Sequence, residues 1–259
     1  MSQPVLICRP GERGEALADS LRAEGMPVEH LNVMRLEALP ENHAQRSVWL
    51  DIDQYHKIVV VSPFAAYCLS EALDRYWPQL PVGIDYYSVG RATASTLFEQ
   101  LGVRVHIPSP DYGEDTSEAL LSLASLKTLT HQRILLVAGE GGRSLLADTL
   151  SARGANVTRI AVYRRVYQAP TPALQQRLIT GDYRALIATS GELLQHLARW
   201  CEQAALNQPL IVSSHRLAKL AGKLGFRDLK VASGATPAAL AAALGRSCNP
   251  KGADVDQGT

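Results

Sequence analysis

Apolar residues in this chain come in short unbroken runs. Each run ends in a small or polar turn, and apolar positions three or four apart follow it. That alternation predicts strand, turn and helix repeated along the chain. Residues 4–8 (PVLIC) read as a strand buried on both faces, with Arg9, Pro10, Gly11 and Gly14 as its turn. Residues 12–24 form a helix with Leu17, Ala18 and Leu21 on one face, Gly25 is its stop, and 28–36 is extended. Residues 40–49 are a polar connection and a helix start. Residues 58–61 are the next strand, Ser62 caps the helix after it, and Pro63 takes the first helical position. Residues 85–109 read as strand, turn with Arg91, helix, stop at Gly102 and short strand, with a further helix from near Glu114. Residues 134–138 are a strand followed by the glycines Gly139, Gly141 and Gly142, Arg143, an amphipathic run, a stop at Gly154 and an extended segment to Tyr163. Residues 186–188 are a strand, Thr189 and Ser190 its cap, and 193–200 a helix. Residues 209–233 repeat the pattern of 85–109, with Arg216 and Gly225, and a helix starts near Thr236.

Much of this is written twice. Residues 5–37 and 134–166 share L-A-D-[ST]-L, a glycine stop and an extended segment, and Val5 and Ile134 lie 129 positions apart. Residues 55–73 match 182–200, with Ser62 and Ser190 128 apart, and 85–109 match 209–233. Such duplication sets the architecture: two α/β halves, each a parallel sheet with helices on its faces. The glycine-rich unit comes first at the N-terminus but last in the middle block. The chain is therefore expected to start in one domain, cross to the other and return, near 34–40 and 163–171. Two crossings make a double-stranded hinge, and the turns after the strands would line a cleft. From Ser247 the tail has little to pack and is expected to fray.

Composition narrows the function classes only modestly. With 26 basic and 25 acidic residues the net charge is +1, which gives no global field for nucleic acid or membrane. The four cysteines show no CxxC spacing and read as buried or idle thiols. No signal peptide precedes Val5, and no apolar run reaches the ~18 residues of a membrane span. The expected compartment is the cytosol.

Candidate chemistry sits at the strand ends, where open α/β sheets bind ligands. Those positions are Arg9, Ser62, Gly90 with Arg91 and Thr93, the loop with Gly141, Gly142 and Arg143, Thr189 with Ser190, Ser213 with Ser214, and 233–236 with Thr236. Each precedes a helix, whose free N–H groups and dipole favour anions. The bland alternative is that Ser, Thr and Gly are simply good caps, and that Arg143 pairs with Glu140. Gly139 and Gly141 begin a GxGxxG that fails at Ser144, and about 20 residues on stands Arg159 rather than an acid. There is no P-loop, no nucleophile elbow at Ser190 and no metal-ligand spacing among the histidines, His215 at a strand end included. The acidic loop 111–115 reads as solvated. Tyr163, at the end of the extended segment that crosses between domains, is the candidate proton donor, projecting into the cleft. The alternative there is a tyrosine that packs the hinge, with Tyr167 as its twin.

Several stretches together resemble one family: ICRP (7–10), VVVSPFAA (59–66), SVGRATASTL (88–97), GEGGR running into RGANV (139–157), VYRR (162–165) and a divergent TSGE (189–192). In that order and spacing the chain resembles uroporphyrinogen-III synthases over roughly residues 3–246. It departs from their pattern at Val61 and Phe64, where threonine and asparagine are common, and at Gly191. The resemblance implies two flavodoxin-like, doubly wound domains joined by a two-stranded linker: 1–35 with 170–250, and 41–162, linked by 34–40 and 163–171, with a flexible tail at 247–259. It implies cyclisation of the linear octacarboxylate hydroxymethylbilane to uroporphyrinogen III, with loss of water and inversion of ring D. It further implies no metal, no organic cofactor and a monomer. Transient contact with the deaminase that makes the unstable substrate is a separate expectation about partners, which the sequence does not decide. Tyr163 takes the role of general acid through VYRR. Ser62, Thr93, Thr189, Ser190, Ser213, Ser214 and Thr236 map to the family's cleft. Without the resemblance two other readings stay open: a two-domain solute- or anion-binding module, and a transferase using a nucleotide-sugar or phosphate donor.

Overall fold

The structure, a computed structural model, describes residues 3–109 and 116–248. In chain order its elements are β1 (Val5–Cys8), α1 (Glu12–Ala23), β2 (Val28–His30), β3 (Met34–Ala38), α2 (His43–Leu50), β4 (Lys57–Val60), α3 (Pro63–Tyr76), β5 (Asp85–Ser88), α4 (Arg91–Leu101), β6 (Val105–His106) and α5 (Ser117–Leu121). There follow β7 (Arg133–Gly139), α6 (Leu145–Ala152), β8 (Asn156–Tyr167), α7 (Pro172–Thr180), β9 (Ala185–Ala188), α8 (Gly191–Ala198), α9 (Gln203–Leu206), β10 (Leu210–Val212), α10 (His215–Lys223), β11 (Leu229–Val231) and α11 (Pro237–Cys248). The acidic loop 111–115, the expected helix start at Glu114 and the tail 249–259 lie outside the described residues. The chain divides into two compact units, Met1–Arg35 with Tyr167–Thr259, and Leu36–Val166.

The first unit holds a sheet ordered β11-β10-β9-β1-β2, with parallel neighbours throughout. Both faces of the central strands β1, β9 and β10 are covered, which is why these read as unbroken apolar runs, whereas the edge strands β2 and β11 are half-buried and carry Glu29 and Lys230. Leu6, Cys8, Leu186, Ala188, Leu210 and Val212 face one core with Leu174, Leu178, Leu193, Leu197 and Leu217. Val5, Ile7, Ala185, Ile187 and Ile211 face the other, against Leu17, Leu21, Leu240 and Leu244 of α1 and α11.

The second unit holds the order β3-β8-β7-β4-β5-β6, with the pairs from β8 to β6 parallel. It is layered in the same way. Ile58, Val60, Tyr86, Leu135 and Val137 pack under α2, α3 and α4, and Val59, Tyr87, Ile134 and Leu136 under α5 and α6. If the sequence copies are matched, β1 with β7, β2 with β8, β9 with β4, β10 with β5 and β11 with β6, the two sheets have one spatial order. Only the order along the chain is permuted, and β3 is added beyond β8.

One local expectation changes. Residues 28–36 are not one extended segment: β2 pairs with β1, whereas β3 joins the other sheet beside β8. The break falls at Leu31 and Val33, both buried, where the Val33 N–H donates to the Leu31 carbonyl at 2.9 Å. Within 163–171, β8 runs as far as Tyr167, and α7 follows from Pro172. Pro172 sits at the first position of α7 behind Thr171, Leu174 and Leu178 are buried, and Gly181 closes the helix with φ +70°.

Candidate functional site

Tyr163 owes its position to an irregularity between two strands. β7 and β8 run in step from Arg133 opposite Asn156 to Ala138 opposite Ala161, and then Gly139 faces Tyr163. One extra residue in β8 is a bulge, which re-aims the side chains beyond it. Strict alternation would send Val162 and Tyr163 to opposite faces, yet both belong to the same apolar cluster. The Tyr163 ring is 5% exposed. It meets Phe64 edge-on, with centroids 5.3 Å apart at 72°. Its hydroxyl oxygen lies 3.1 Å from Ser62 Oγ, which donates to it. Ser62 is also the N-cap of α3, its oxygen accepting the Ala65 N–H at 3.2 Å. Gly139 also adjoins the ring, and the absence of a side chain there makes room for it.

The glycine loop adjoins the tyrosine. Gly141 and Gly142 have φ +70° and +82°, a left-handed conformation that glycine adopts without penalty. Arg159 Nη2 donates to the carbonyls of Gly139 at 2.8 Å and Gly141 at 2.6 Å, which occupies two of the loop's acceptors. The Glu140 N–H donates to the Tyr163 carbonyl at 2.7 Å. The N–H groups of Gly141, Gly142, Arg143 and Ser144 donate to no acceptor among the described residues. Loop, tyrosine, Val61, Leu146, Arg159 and Arg165 line a cavity of about 140 Å³.

Arg143 is not paired with Glu140. It makes a two-pronged ion pair with Glu118 on α5, at 2.8 and 3.4 Å. The Glu118 carboxyl is held below the usual carboxylate range, first by its own backbone N–H and then by Arg143. Arg143 therefore cross-links the loop to α5, and it lines the cavity already carrying a counter-ion. Arg165 lines the same cavity and has no ion-pair partner among the described residues. Neither Arg159 nor Arg165 stood out as a site residue in the sequence. The available signal was the spacing of Tyr163 and Arg165, two apart on one strand, which puts both on the same side.

The remaining candidates divide by unit. Beside β5, Gly90 is the N-cap of α4 with an extended backbone, Arg91 is exposed, and Thr93 is only 4% exposed. In the first unit Ser190, Ser214 and Thr236 are N-caps, accepting N–H groups at 3.5, 3.3 and 3.2 Å. Thr189 and Ser213, each one residue earlier, are half-buried. Each capping hydroxyl spends one lone pair on its helix and keeps a proton to donate. Arg9 is 8% exposed, and its guanidinium donates to the Ala235 carbonyl. Burial and then Arg13 lower its pKa. That contact ties the turn after β1 to the turn before α11. Tyr167 is no twin of Tyr163, since its hydroxyl donates to Glu192 at 2.7 Å beside His196. A larger cavity, about 280 Å³, lies by Trp49, Tyr67 and Glu71 and is lined by none of the sequence candidates.

The family model described as uroporphyrinogen-III synthase HemD matches residues 3–242. The uroporphyrinogen-III synthase of Escherichia coli (strain K12) is 35% identical over 253 residues, covering 93% of this chain and 99% of that protein. The uroporphyrinogen-III synthase of Salmonella typhimurium (strain LT2) is 35% identical over 248 residues, covering 93% and 99%.

This chain belongs to the uroporphyrinogen-III synthase family.

The match to the synthase family takes in every candidate named above, from Arg9 to Thr236. Solved structures of synthases share the α/β fold with mainly parallel sheets. That from Helicobacter pylori 26695 aligns with a TM-score of 0.61 at 15% identity, over 96% of this chain and all of that one. A mutant synthase from the extreme thermophile Thermus thermophilus aligns with 0.58 at 19% identity, over 96% and all. Among the described residues no helix is long and apolar enough to cross a membrane.

Proposed function

We propose that this chain cyclises hydroxymethylbilane to uroporphyrinogen III with loss of water and inversion of ring D, as a carbon–oxygen lyase of tetrapyrrole biosynthesis. Family membership supports the reaction. The observation that carries the site is Tyr163, its hydroxyl hydrogen-bonded to Ser62 and its side chain lining a cavity with loop N–H groups that have no acceptor among the described residues.

In this reading Tyr163 donates its proton to the hydroxymethyl oxygen, which leaves as water. The resulting azafulvene cation attacks ring D at its substituted carbon, and the spiro intermediate fragments and recloses inverted. A proton is released on closure, so no further reactant is needed. The substrate also cyclises unaided to the wrong isomer, so holding one conformation is as important as the proton. The loop N–H groups at 141–144 suit a carboxylate, and a partly screened pocket strengthens such bonds. Ser190, Ser214 and Thr236, with Thr189 and Ser213, are further candidate donors to acetate and propionate groups. So are Gly90, Arg91 and Thr93 beside β5.

The reading includes flavodoxin-like domains. Numbered by the sequence copies, both sheets follow the order 2-1-3-4-5, which supports it. It also includes action as a cytoplasmic monomer without metal or organic cofactor, and transient contact with the deaminase that supplies the unstable substrate.

The test is a coupled assay. Porphobilinogen and the upstream deaminase generate hydroxymethylbilane in situ, with or without this protein, and the porphyrin isomers are separated after oxidation. A shift from isomer I to isomer III is expected. Unchanged isomer I from folded protein would leave a binding module and overturn the reading. Tyr163→Phe is expected to slow turnover by about 10²–10⁴-fold with folding intact.

A further inference from the structure

The sequence offers Ser62 as a contact to substrate, but its geometry assigns it elsewhere. A serine hydroxyl has one proton and two lone pairs. One lone pair takes the Ala65 N–H at 3.2 Å, and the oxygen stands 3.1 Å from Tyr163 Oη. We infer that Ser62 is a positioning residue for Tyr163: it donates its proton to the phenolic oxygen and thereby directs the tyrosine's own proton towards the cavity. This inference rests on Tyr163 being the proton donor.

Three neighbours restrict the phenol. Phe64 packs against the ring edge-on at 5.3 Å. Gly139 packs so tightly against the ring that a Cβ there would stand 3.0 Å from Oη and 2.6 Å from Cζ. Ser62 occupies one side of the oxygen and, when it donates, excludes the tyrosine proton from that side. The O–H bond is left to point away from Ser62, and Tyr163 lines a cavity with Gly139, Gly141 and Arg165. When Tyr163 gives up its proton, negative charge develops on an oxygen that already accepts a hydrogen bond. Such a bond strengthens as charge grows, so it favours the transition state over the ground state. The proton released when the macrocycle closes restores the phenol. Ser62 itself neither gains nor loses a proton, and the step balances.

Replacement of Ser62 by aspartate separates this role from capping. Aspartate caps a helix as well as serine does, so the start of α3 is kept. A carboxylate cannot donate, however, and would attract the tyrosine's proton to itself. In the coupled assay, Ser62→Asp is expected to lower kcat at least about tenfold while KM stays within about threefold and Tm is held. Ser62→Thr keeps donor and cap and should keep kcat within about twofold. Ser62→Ala, Tyr163→Phe and the double variant complete a cycle, with Ser62→Ala expected to cost nothing further once Tyr163 is phenylalanine. Full activity of Ser62→Asp, or equal losses from Ser62→Ala in both backgrounds, would overturn the inference. Full activity of Tyr163→Phe would instead overturn the proton-donor reading beneath it. Should Ser62→Asp fail to fold, the cycle decides alone.

Discussion

A Cβ placed on Gly139 would stand 2.6 Å from Cζ of Tyr163 and 2.8 Å from its Cε2. No carbon comes so near, so one methyl group at 139 must move the ring. Gly139→Ala is therefore expected to cut kcat by about 10², on the scale set by a displacement near 1 Å. It should also cost about 1–3 kcal/mol by overpacking. Gly141→Ala is the control. It meets nothing within 4 Å but has φ +70°, so it should cost about 1–2 kcal/mol of backbone strain and much less turnover. Denaturant unfolding and steady-state kinetics on both variants check this. Equal kinetic losses would mean that Gly139 matters for its backbone and not for its fit to Tyr163.

The cavity beside Tyr163 carries three arginines with different obligations. Arg143 is held by Glu118 and Arg159 by two carbonyls, while Arg165 has no ion-pair partner among the described residues. Arg165→Gln is expected to raise KM for the octacarboxylate substrate by about tenfold, the value of one charge-assisted hydrogen bond. The same change at Arg143 should stay within about twofold, because exposed pairs contribute little. Added salt should narrow the difference between wild type and Arg165→Gln. A larger effect at Arg143 than at Arg165 would reverse the assignment.

The strands and the permuted repeat could be read from the chain because buried parallel strands leave unbroken apolar runs, and because Ser62, Ser190 and Ser214 cap helices by local geometry alone. Local sequence did not carry three features. The extra residue of β8 opposite Gly139 is a matter of pairing register, which no single segment specifies. Arg143 finds Glu118 across 25 positions, whereas Glu140 is nearer only in sequence. The extended stretch at 28–36 splits because its two ends pair with different sheets, although no proline or glycine marks the break. Helix α7 is not among the elements expected from the sequence, although it was legible in Pro172, Leu174 and Leu178.

Lys57 is 7% exposed at the start of β4, at the opposite end of the sheet from Ser62. Its ammonium donates to Asp85 Oδ2 at 2.9 Å and to the Tyr87 hydroxyl at 3.3 Å. Burial would lower its pKa, but the bonds to Asp85 and Tyr87 outweigh burial and raise it. Asp85→Asn should destabilise by about 1 kcal/mol, a modest figure because Asp85 is half exposed. Turnover should not change. A raised lysine pKa stabilises fully below the ordinary lysine value and ceases to as pH rises through the raised one. The gap between wild type and Asp85→Asn should therefore persist at neutral pH and close at alkaline pH. A gap that widened there would contradict the pairing.

Burial pushes the thiols of Cys8 and Cys201 from 9.0 up to about 12. Cys68 rises to about 11, by burial first and then by Glu71. Only the thiolate reacts, and one unit of pKa is tenfold in thiolate at a given pH. Cys68 should thus be alkylated at least about tenfold faster than Cys8 in the native protein, with the lack of exposure at Cys8 adding to the difference. In denaturant the rates should converge. The same shifts fix a sign for stability. Between 9.0 and about 12 the unfolded chain loses thiol protons that the folded chain keeps. Stability is accordingly expected to fall as pH climbs through that window, and mass spectrometry of the alkylated peptides would show Cys8 becoming reactive only as unfolding sets in. Rapid labelling of Cys8 at neutral pH, with the fold intact, would mean that the β1 core opens locally.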